Sequence, residues 1–170
     1  MIADIGGGHG RLLGEIAKKY HHVQGEVVDL ADVVSASTEI AKLGVEDRVK
    51  LIPGDFLSGE GIPMHFDLYI MKHIIHDWDD DSSLTILRNI REAVGDKKDA
   101  KLLNCELIVA ETGDVPTGAE LCDIHMMVVN NGRERKESET RKLLEEAGWR
   151  LERTIRTANP MFAIQEAVPI

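Results

Sequence analysis

Cysteine, long apolar runs and positive charge are all scarce in this sequence, and each shortage excludes a class of protein. The two cysteines, Cys105 and Cys122, form no CxxC pair and are too few for a disulfide framework. A reducing, cytoplasmic setting is therefore expected. No apolar run approaches the roughly 20 residues that are needed to cross a bilayer, so we expect no association with a membrane.

The shortage of positive charge bears on the type of ligand. The sequence has 20 Lys and Arg residues against 30 Asp and Glu residues, a formal net charge of −10. Binding to nucleic acid needs clustered Lys and Arg side chains, and the one basic cluster, 133–136, is interrupted by Glu134. We therefore expect no nucleic-acid partner. The negative charge suits a cationic or zwitterionic small molecule, although an ordinary solvated surface has the same composition.

Apolar segments of strand type alternate with segments of helical period along the chain. Strands are predicted at 1–5, 25–29, 48–53, 66–71, 101–108, 149–157 and 161–168, and helices at 12–20, 82–95 and 137–147. This alternation predicts an α/β fold with a mostly parallel sheet and helices on both faces. Only three residues separate the last two strands, so they are predicted to form a hairpin whose last strand is antiparallel.

The length of 170 residues predicts a single domain. The first strand is predicted to begin at residue 1, directly before a glycine-rich loop. A domain rarely begins inside its central strand, and we therefore expect this chain to be a fragment of a longer protein.

The loop Asp4-Ile5-Gly6-Gly7-Gly8-His9-Gly10 links the first strand to the first helix. Such a loop lets a ligand approach bare backbone at the carboxyl end of a sheet, although a tight structural turn has the same composition. Gly6, Gly8 and Gly10 give the pattern GxGxG, which lacks the last glycine of the dinucleotide fingerprint. The loop therefore disfavours a nicotinamide-dependent dehydrogenase, and the absence of a following Lys-Ser/Thr pair excludes a P-loop.

Two more loops suit an adenosine ligand. Asp29, followed by Leu30, ends the second strand and offers a carboxylate to ribose hydroxyls. Gly54-Asp55-Phe56 follows the third strand and offers a carboxylate and an aromatic face to adenine. Parallel strands bring these loops to one edge, so the three elements together are much stronger than any one of them.

A histidine-rich segment follows the fourth strand. His76 suits a general base because its ordinary pKa lies near working pH. Glu106, in an apolar strand, and Glu134 are candidates to orient it, although each also fits an exposed or ion-paired residue. His73 and His76 beside the aspartates at 79–81 form an alternative metal site. We set this alternative aside because those aspartates suit a helix N-terminus, and no metal is expected.

These residues together resemble a known family. The sequence is similar to the C-terminal catalytic domain of the caffeic acid and hydroxyindole type of O-methyltransferases, which use S-adenosylmethionine. His-Asp-Trp, followed at the matching distance by Gly-Arg-Glu-Arg, is the most specific motif, and the resemblance covers essentially all 170 residues. The matching motifs lie at 4–10, 28–30, 54–56, 71–72, 76–78, 123–127, 132–135 and 146–149.

The resemblance implies a class I methyltransferase fold, Rossmann-like, with seven strands of which the last is antiparallel. It also implies S-adenosylmethionine as cofactor and a hydroxyl group of a small, aromatic molecule as acceptor. The cofactor-binding residues implied are Asp4, Gly6, Gly8, Asp29, Leu30, Asp55, Phe56 and Lys72.

By the same resemblance, His76 is the catalytic base, and Glu106 and Glu134 are the acidic residues on either side of it. A longer loop at 95–100 leaves Glu111 as an alternative to Glu106. The residues implied on the acceptor side are Asp77, Asp123 and Met127. Apart from the resemblance, Met126 and Met127 suit a pocket wall or the core.

The family also carries an N-terminal domain that dimerises and closes one wall of the acceptor pocket. Residues 1–170 correspond to the catalytic domain alone, so the full-length protein is expected to be a homodimer. The alternative function is that of a domain that binds S-adenosylmethionine without methyl transfer of its own.

Overall fold

The computed structural model describes residues 1–112, 118–130 and 132–170 and contains one mixed sheet with the strand order β3-β2-β1-β4-β5-β8-β7. A two-residue strand, β6, pairs with β5 outside this path, so the sheet has eight strands rather than the predicted seven. The strands are β1 Ile2–Ile5, β2 Gly25–Asp29, β3 Val49–Pro53, β4 Leu68–Lys72, β5 Lys101–Val109, β6 Arg135–Lys136, β7 Trp149–Arg156 and β8 Phe162–Pro169.

The pairing directions confirm the predicted topology. Strands β3, β2, β1, β4 and β5 run parallel to one another, whereas β8 pairs antiparallel with both β5 and β7. The last strand is therefore the antiparallel one. Each predicted strand lies within two residues of its observed bounds, because a Gly, Pro or charged residue borders most of these apolar runs.

Of the six α-helices in the described part of the chain, three match the predicted segments. The helices are α1 Arg11–Lys19, α2 Ala31–Ser35, α3 Glu39–Leu43, α4 Asp80–Val94, α5 Ala119–Asn130 and α6 Glu137–Glu146. The predictions missed α2 and α3 because five residues are too few to show a helical period. They missed α5 because its second half, Met126–Val129 in sequence, is continuously apolar and shows no alternation of faces.

Two hydrophobic clusters lie on opposite faces of the sheet. The larger contains Val28 of β2 together with side chains of α4 and α6, and the smaller contains the adjacent Val27 with side chains of α1 and α3. Successive residues of a strand point to opposite faces, so this division places helices on both sides, as predicted. The carboxyl ends of β1, β2 and β4 consequently meet at one open edge, where α/β sheets bind ligands.

Helix α4 begins where the aspartates predicted it. The Asp79 carboxylate accepts a hydrogen bond from the backbone amide of Ser82 at 2.8 Å, and Asp80 and Asp81 occupy the first turn. Among the described residues, no helix is long and apolar enough to cross a membrane.

Candidate active site

The glycine loop forms one wall of a cleft of about 440 Å³ at the sheet edge. Gly6 and Gly8 adopt φ angles of 67° and 59°, which side-chain-bearing residues seldom adopt. A Cβ on Gly6 would lie 2.4 Å from the Ile74 side chain, so this backbone can lie here only without a side chain. The cleft is lined by Asp4, Gly6, Gly7, His9, Arg11, Leu12, Glu39 and Lys72.

Asp4 places a buried carboxylate in this cleft. Asp4 is only 1% exposed, and its Oδ2 atom has no hydrogen-bond partner among the described residues. Burial raises the pKa of Asp4 to about 6, and a hydrogen bond from the Leu13 backbone and the charge of Lys72 offset that shift only in part. The carboxylate is thus available to a cationic group of a ligand.

Asp29 connects the glycine loop with a second cleft. Its carboxylate accepts hydrogen bonds from the backbone amides of Gly8, at 2.7 Å, and Leu30, at 2.8 Å. A carboxylate has about four acceptor sites, so capacity remains for two hydroxyl groups. Asp29 is therefore fixed in place and still able to bind a ribose.

The second cleft, of about 340 Å³, has an aromatic wall. Phe56 and Trp78 meet edge to face with their ring centroids 6.0 Å apart. Asp55 accepts a hydrogen bond from the Leu57 amide at 2.9 Å, which orders the loop. The cleft is lined by Asp29, Leu30, Gly54, Asp55, Phe56, Leu57 and Trp78. A flat apolar ring with a polar edge suits this surface.

His76 lies in a single 3-10 turn, Ile75–Asp77, just after β4. Its Nδ1 atom lies 2.9 Å from Oε1 of the buried Glu134, and its Nε2 atom lies 3.6 Å from Oδ1 of Asp77. Burial lowers the pKa of His76, but the hydrogen bond to Glu134 and the charges of Glu106, Glu134 and Asp77 outweigh that effect, so the pKa lies above its ordinary 6.5.

Glu106 is the second carboxylate beside His76. Its Oε1 accepts hydrogen bonds from the amides of Ile74, at 2.9 Å, and Ile75, at 3.1 Å, and its Oε2 lies 3.9 Å from His76 Nδ1. Burial raises its pKa to about 7. Glu111, the alternative, is exposed and bonds to Ser138 instead. The structure thus places Glu106, and not Glu111, beside the histidine.

The residues implied on the acceptor side occupy different environments. Asp77 accepts a hydrogen bond from Asn130 Nδ2 at 2.6 Å, close to the free nitrogen of His76. Asp123 instead accepts a hydrogen bond from the backbone amide of Glu134 at 2.9 Å. It therefore holds the backbone of the residue whose carboxylate contacts His76. Met127 is 61% exposed on α5, so of its two expected places, a pocket wall or the core, the exposure excludes the core.

Two aspartates of the metal alternative have other partners in the structure. Asp79 caps α4, and Asp80 forms an ion pair with Arg135 at 2.8 Å. These two carboxylates therefore serve the helix and the turn rather than the histidines. The side chain that the structure places beside His73 and His76 is Glu106.

Arg135 is a functional residue that the sequence analysis missed. It is 4% exposed and donates hydrogen bonds to the carbonyl oxygens of Ile75, at 2.7 Å, and Trp78, at 2.9 Å. These two carbonyls lie on either side of His76, so Arg135 holds the turn that carries it. Its place in the Gly-Arg-Glu-Arg motif was a signal, but the motif does not reveal which arginine is buried.

Comparisons with known proteins identify the family of the chain. Residues 1–150 match the family model of the O-methyltransferase domain. Phenazine O-methyltransferase PhzM of Lysobacter antibioticus is 37% identical over 170 residues, covering 99% of this chain and 48% of the relative. The crystal structure of LaPhzM superimposes with a TM-score of 0.91 at 37% identity, covering 99% of this chain and 49% of that one.

A second similar structure contains ligands. It is the O-methyltransferase NcsB1 from neocarzinostatin biosynthesis, in complex with S-adenosylmethionine and 2-hydroxy-5-methyl naphthoic acid, with a TM-score of 0.86 and 27% identity. The match covers 99% of this chain and 48% of NcsB1. The chain thus spans about half the length of the relatives that it matches. By its sequence and by its class I methyltransferase fold, the chain belongs to the O-methyltransferase domain family.

Proposed function

We propose that this chain binds S-adenosylmethionine and that its full-length protein methylates a hydroxyl group of a small, aromatic acceptor. The observation that carries the proposal is His76, which is held by a buried carboxylate at the same sheet edge as the glycine loop. Family membership supports the reaction class. The aromatic acceptor draws support from NcsB1, which was solved with a naphthoic acid.

The two clefts fit the parts of the cofactor. The buried Asp4 carboxylate suits the ammonium group of the methionine part, in the cleft that Gly6 and Lys72 also line. Asp29 lines the second cleft and accepts a hydrogen bond from Gly8 of the glycine loop, and it has acceptor capacity left for the ribose. The second cleft, with Leu30, Asp55 and Phe56, suits the adenine.

The chemistry at His76 follows from the direction of its two ring nitrogens. When bound, the cofactor supplies an electrophilic methyl group on a sulfonium. Glu134 accepts the hydrogen bond of Nδ1–H, which fixes the tautomer and leaves the lone pair of Nε2 free. Nε2 removes the proton of the acceptor hydroxyl as its oxygen attacks, and the buried carboxylates stabilise the imidazolium that forms.

Three further residues are proposed on the acceptor side. Asp77 is supported by the 3.6 Å distance between its Oδ1 and His76 Nε2, which puts it within reach of a group bound at that nitrogen. Asp123 is proposed to act through Glu134, whose backbone amide it binds. Met127, exposed on α5, offers an apolar contact.

A second candidate function is cofactor binding without transfer by this chain alone. The observation that favours it is the exposure of the acceptor side. Side chains of α5 that would adjoin an acceptor are more than half exposed, namely Leu121, Ile124, Met127, Val128 and Val129. An acceptor bound there would remain largely in water, which weakens the electrostatic support for proton transfer. Single-turnover transfer by this chain would exclude this candidate.

The remaining proposals concern assembly and location. The exposed apolar side chains of α5 support a homodimer in the full-length protein, which sedimentation would test. The net charge of −10 supports the proposal that nucleic acid is no partner, and a mobility-shift assay at low salt would reveal the contrary. Cys105 and Cys122 are both free thiols, which supports a cytoplasmic location that fractionation would test.

Calorimetric titration with S-adenosylmethionine and, separately, with NAD is the first test. We expect micromolar affinity for S-adenosylmethionine and no binding of NAD. Asp29→Asn should weaken binding by about tenfold or more, because one hydrogen bond to a charged group contributes about 1.5–3 kcal/mol. Asp32→Asn, an exposed change three residues away, is the matched control and should leave affinity unchanged. Binding of NAD alone would contradict the proposal.

Asp4→Asn is expected to stabilise the protein while it weakens cofactor binding. The pKa of Asp4 rises from 3.8 to about 6 on folding, so the folded state loses stability as pH rises through that interval. A pKa difference of about two between the folded and unfolded states corresponds to about 3 kcal/mol in the free energy of unfolding. The variant should therefore unfold at higher urea concentration above pH 6, with a gain that shrinks as pH falls toward 4.

The control for this experiment is Asp99→Asn, because the side chain of Asp99 is 84% exposed. It should change the free energy of unfolding by no more than about 0.5 kcal/mol at any pH. If Asp4→Asn gains stability but binds S-adenosylmethionine as tightly as the wild type, Asp4 does not contact the cofactor.

A further inference from the structure

Four ionisable side chains form a compact group at the end of β4, with two buried carboxylates and two half-buried imidazoles. We call them the His-Glu cluster: His73, His76, Glu106 and Glu134. Oε2 of Glu106 lies 3.8 Å from Nδ1 of His73 and 3.9 Å from Nδ1 of His76. Glu134 belongs to the group because its Oε1 lies 2.9 Å from Nδ1 of His76. The base mechanism uses three of these residues and leaves His73 without a role.

Three atoms of the cluster are buried without a hydrogen-bond partner in the described part of the chain: His73 Nδ1, Glu106 Oε2 and Glu134 Oε2. Glu106 and Glu134 are 5% and 3% exposed. Buried polar atoms are nearly always paired, and a buried carboxylate oxygen is costly to leave unpaired. Two of these unpaired atoms, His73 Nδ1 and Glu106 Oε2, lie 3.8 Å apart and therefore indicate a ligand that accepts an electron pair from each of them.

The backbone holds His73 in position to contribute. Its φ angle is 55°, in the left-handed region that few residues other than glycine adopt, and its amide donates to the Cys105 carbonyl at 3.1 Å. Its ring lies 5.1 Å from the His76 ring and 5.2 Å from the Phe162 ring. His73 thus faces the cluster because of its backbone, and burial, followed by the charges of Lys72 and His76, keeps its pKa below the ordinary value.

The donor atoms have the spacing of a tetrahedral metal site. Zinc ligands at 2.0–2.2 Å in tetrahedral geometry lie roughly 3.4 Å from one another. The distances from Glu106 Oε2 to the two histidine nitrogens, 3.8 and 3.9 Å, exceed that value by only a few tenths of an ångström. Imidazole with carboxylate is a preferred ligand set of zinc, whereas magnesium favours oxygen alone.

We propose that His73, His76 and Glu106 form a Zn²⁺ site, because their ligand atoms all lie within 4.8 Å of one another. The carboxylates of Glu106 and of the adjacent Glu134 would balance the charge of the ion. The ion has no part in methyl transfer. It binds in place of the proton on His76 Nδ1.

Zinc binding has a consequence for catalysis that rests on the proposed function. Neutral His76 carries its proton on Nδ1 and has a free electron pair on Nε2. When Zn²⁺ takes the electron pair of Nδ1, the ring proton moves to Nε2, and the ring stays neutral. Nε2 then has no electron pair for the acceptor hydroxyl, so Zn²⁺ is expected to inhibit transfer, and a chelator to restore it.

The test is competition for Zn²⁺ between the protein and a chromophoric chelator. We expect one tight site in the wild type and an affinity at least tenfold weaker in His73→Asn. Asparagine tolerates the left-handed backbone but is a poor zinc ligand. The matched control is His65→Asn, because His65 has a φ angle of 60°, is exposed and lies outside the cluster. It should bind Zn²⁺ as the wild type does.

Two outcomes would overturn the site. Equal affinity in the wild type and His73→Asn would show that surface histidines such as His21 and His22 hold the ion. Weaker binding in His65→Asn as well would have the same meaning. Circular dichroism confirms that each variant is folded. Tight binding that depends on His73 but causes no inhibition would support the site and contradict the base role of His76, so the two proposals fail separately.

Discussion

Replacement of His76 by glutamine in the full-length protein is expected to slow methyl transfer by about 10²–10⁴-fold, the usual contribution of a general base. Unlike Nε2 of the histidine ring, the glutamine side chain cannot take the proton of the acceptor hydroxyl. It can still donate a hydrogen bond to Glu134. Affinity for S-adenosylmethionine should stay nearly unchanged, because His76 is absent from both clefts that we assign to the cofactor. Steady-state kinetics and calorimetry measure the two quantities.

The pH profile distinguishes a base from a structural histidine. A base must be neutral to act, so transfer should rise with pH through a pKa above the ordinary 6.5 of histidine. The hydrogen bond that Glu134 accepts from His76 contributes to that elevation. Glu134→Gln should therefore move the acid limb of the kcat/KM profile to lower pH as well as reduce the rate. A change in rate without a shift of the limb would leave Glu134 a packing residue.

The exposed His22 supplies the control, since His22→Gln removes an imidazole far from the sheet edge and should not alter kinetics. A collapse of cofactor affinity in His76→Gln would mean that His76 maintains the structure of the site. In that case the assignment of the base would be wrong, although family membership, which rests on the sequence match, would stand.

The parts of the fold that the sequence could predict are those with a period. Strands such as β2 and helices such as α4 are long enough for burial to repeat, and the caps at Asp79 and Gly95 mark the ends of α4. Helix α5 could not be predicted from a period, because its apolar side chains are exposed rather than turned to one buried face. Whether an apolar residue is exposed depends on the folded surface, and no local sequence pattern predicts it.

The residues of the candidate site also divide into those that the sequence could predict and those that it could not. The glycine loop, Asp29 and His76 lie next to strand ends, so their convergence followed from the parallel topology. Glu106 could be distinguished from Glu111 only by the register of β5, in which Lys72 pairs with Cys105 and the next residue, Glu106, reaches the His76 turn. The hydrogen bonds of Arg135 join elements about 60 residues apart in sequence, and no spacing encodes such contacts.

Arg135→Met is expected to have the largest effect on stability, a loss of about 3–5 kcal/mol in the free energy of unfolding. Methionine fills a similar volume but removes the two hydrogen bonds from the guanidinium to the carbonyl oxygens of Ile75 and Trp78, which keep only longer contacts of 3.3–3.5 Å with other donors. Each hydrogen bond to a charged group contributes about 1.5–3 kcal/mol. The ion pair with Asp80 adds little, because the Asp80 side chain is 51% exposed. Urea unfolding measures the loss.

Arg133→Met is the matched control for that loss. Arg133 lies two residues away and also forms ion pairs with Asp80 and Glu139, but its side chain is 42% exposed. Its removal should change the free energy of unfolding by about 1 kcal/mol or less. If both variants lose the same stability, the buried hydrogen bonds of Arg135 do not hold the turn. The other outcome is that Arg135→Met alone is destabilised and that its transfer rate falls at temperatures where it is folded. Arg135 is then a positioning residue, which holds the turn that carries His76 without contact with any reacting atom.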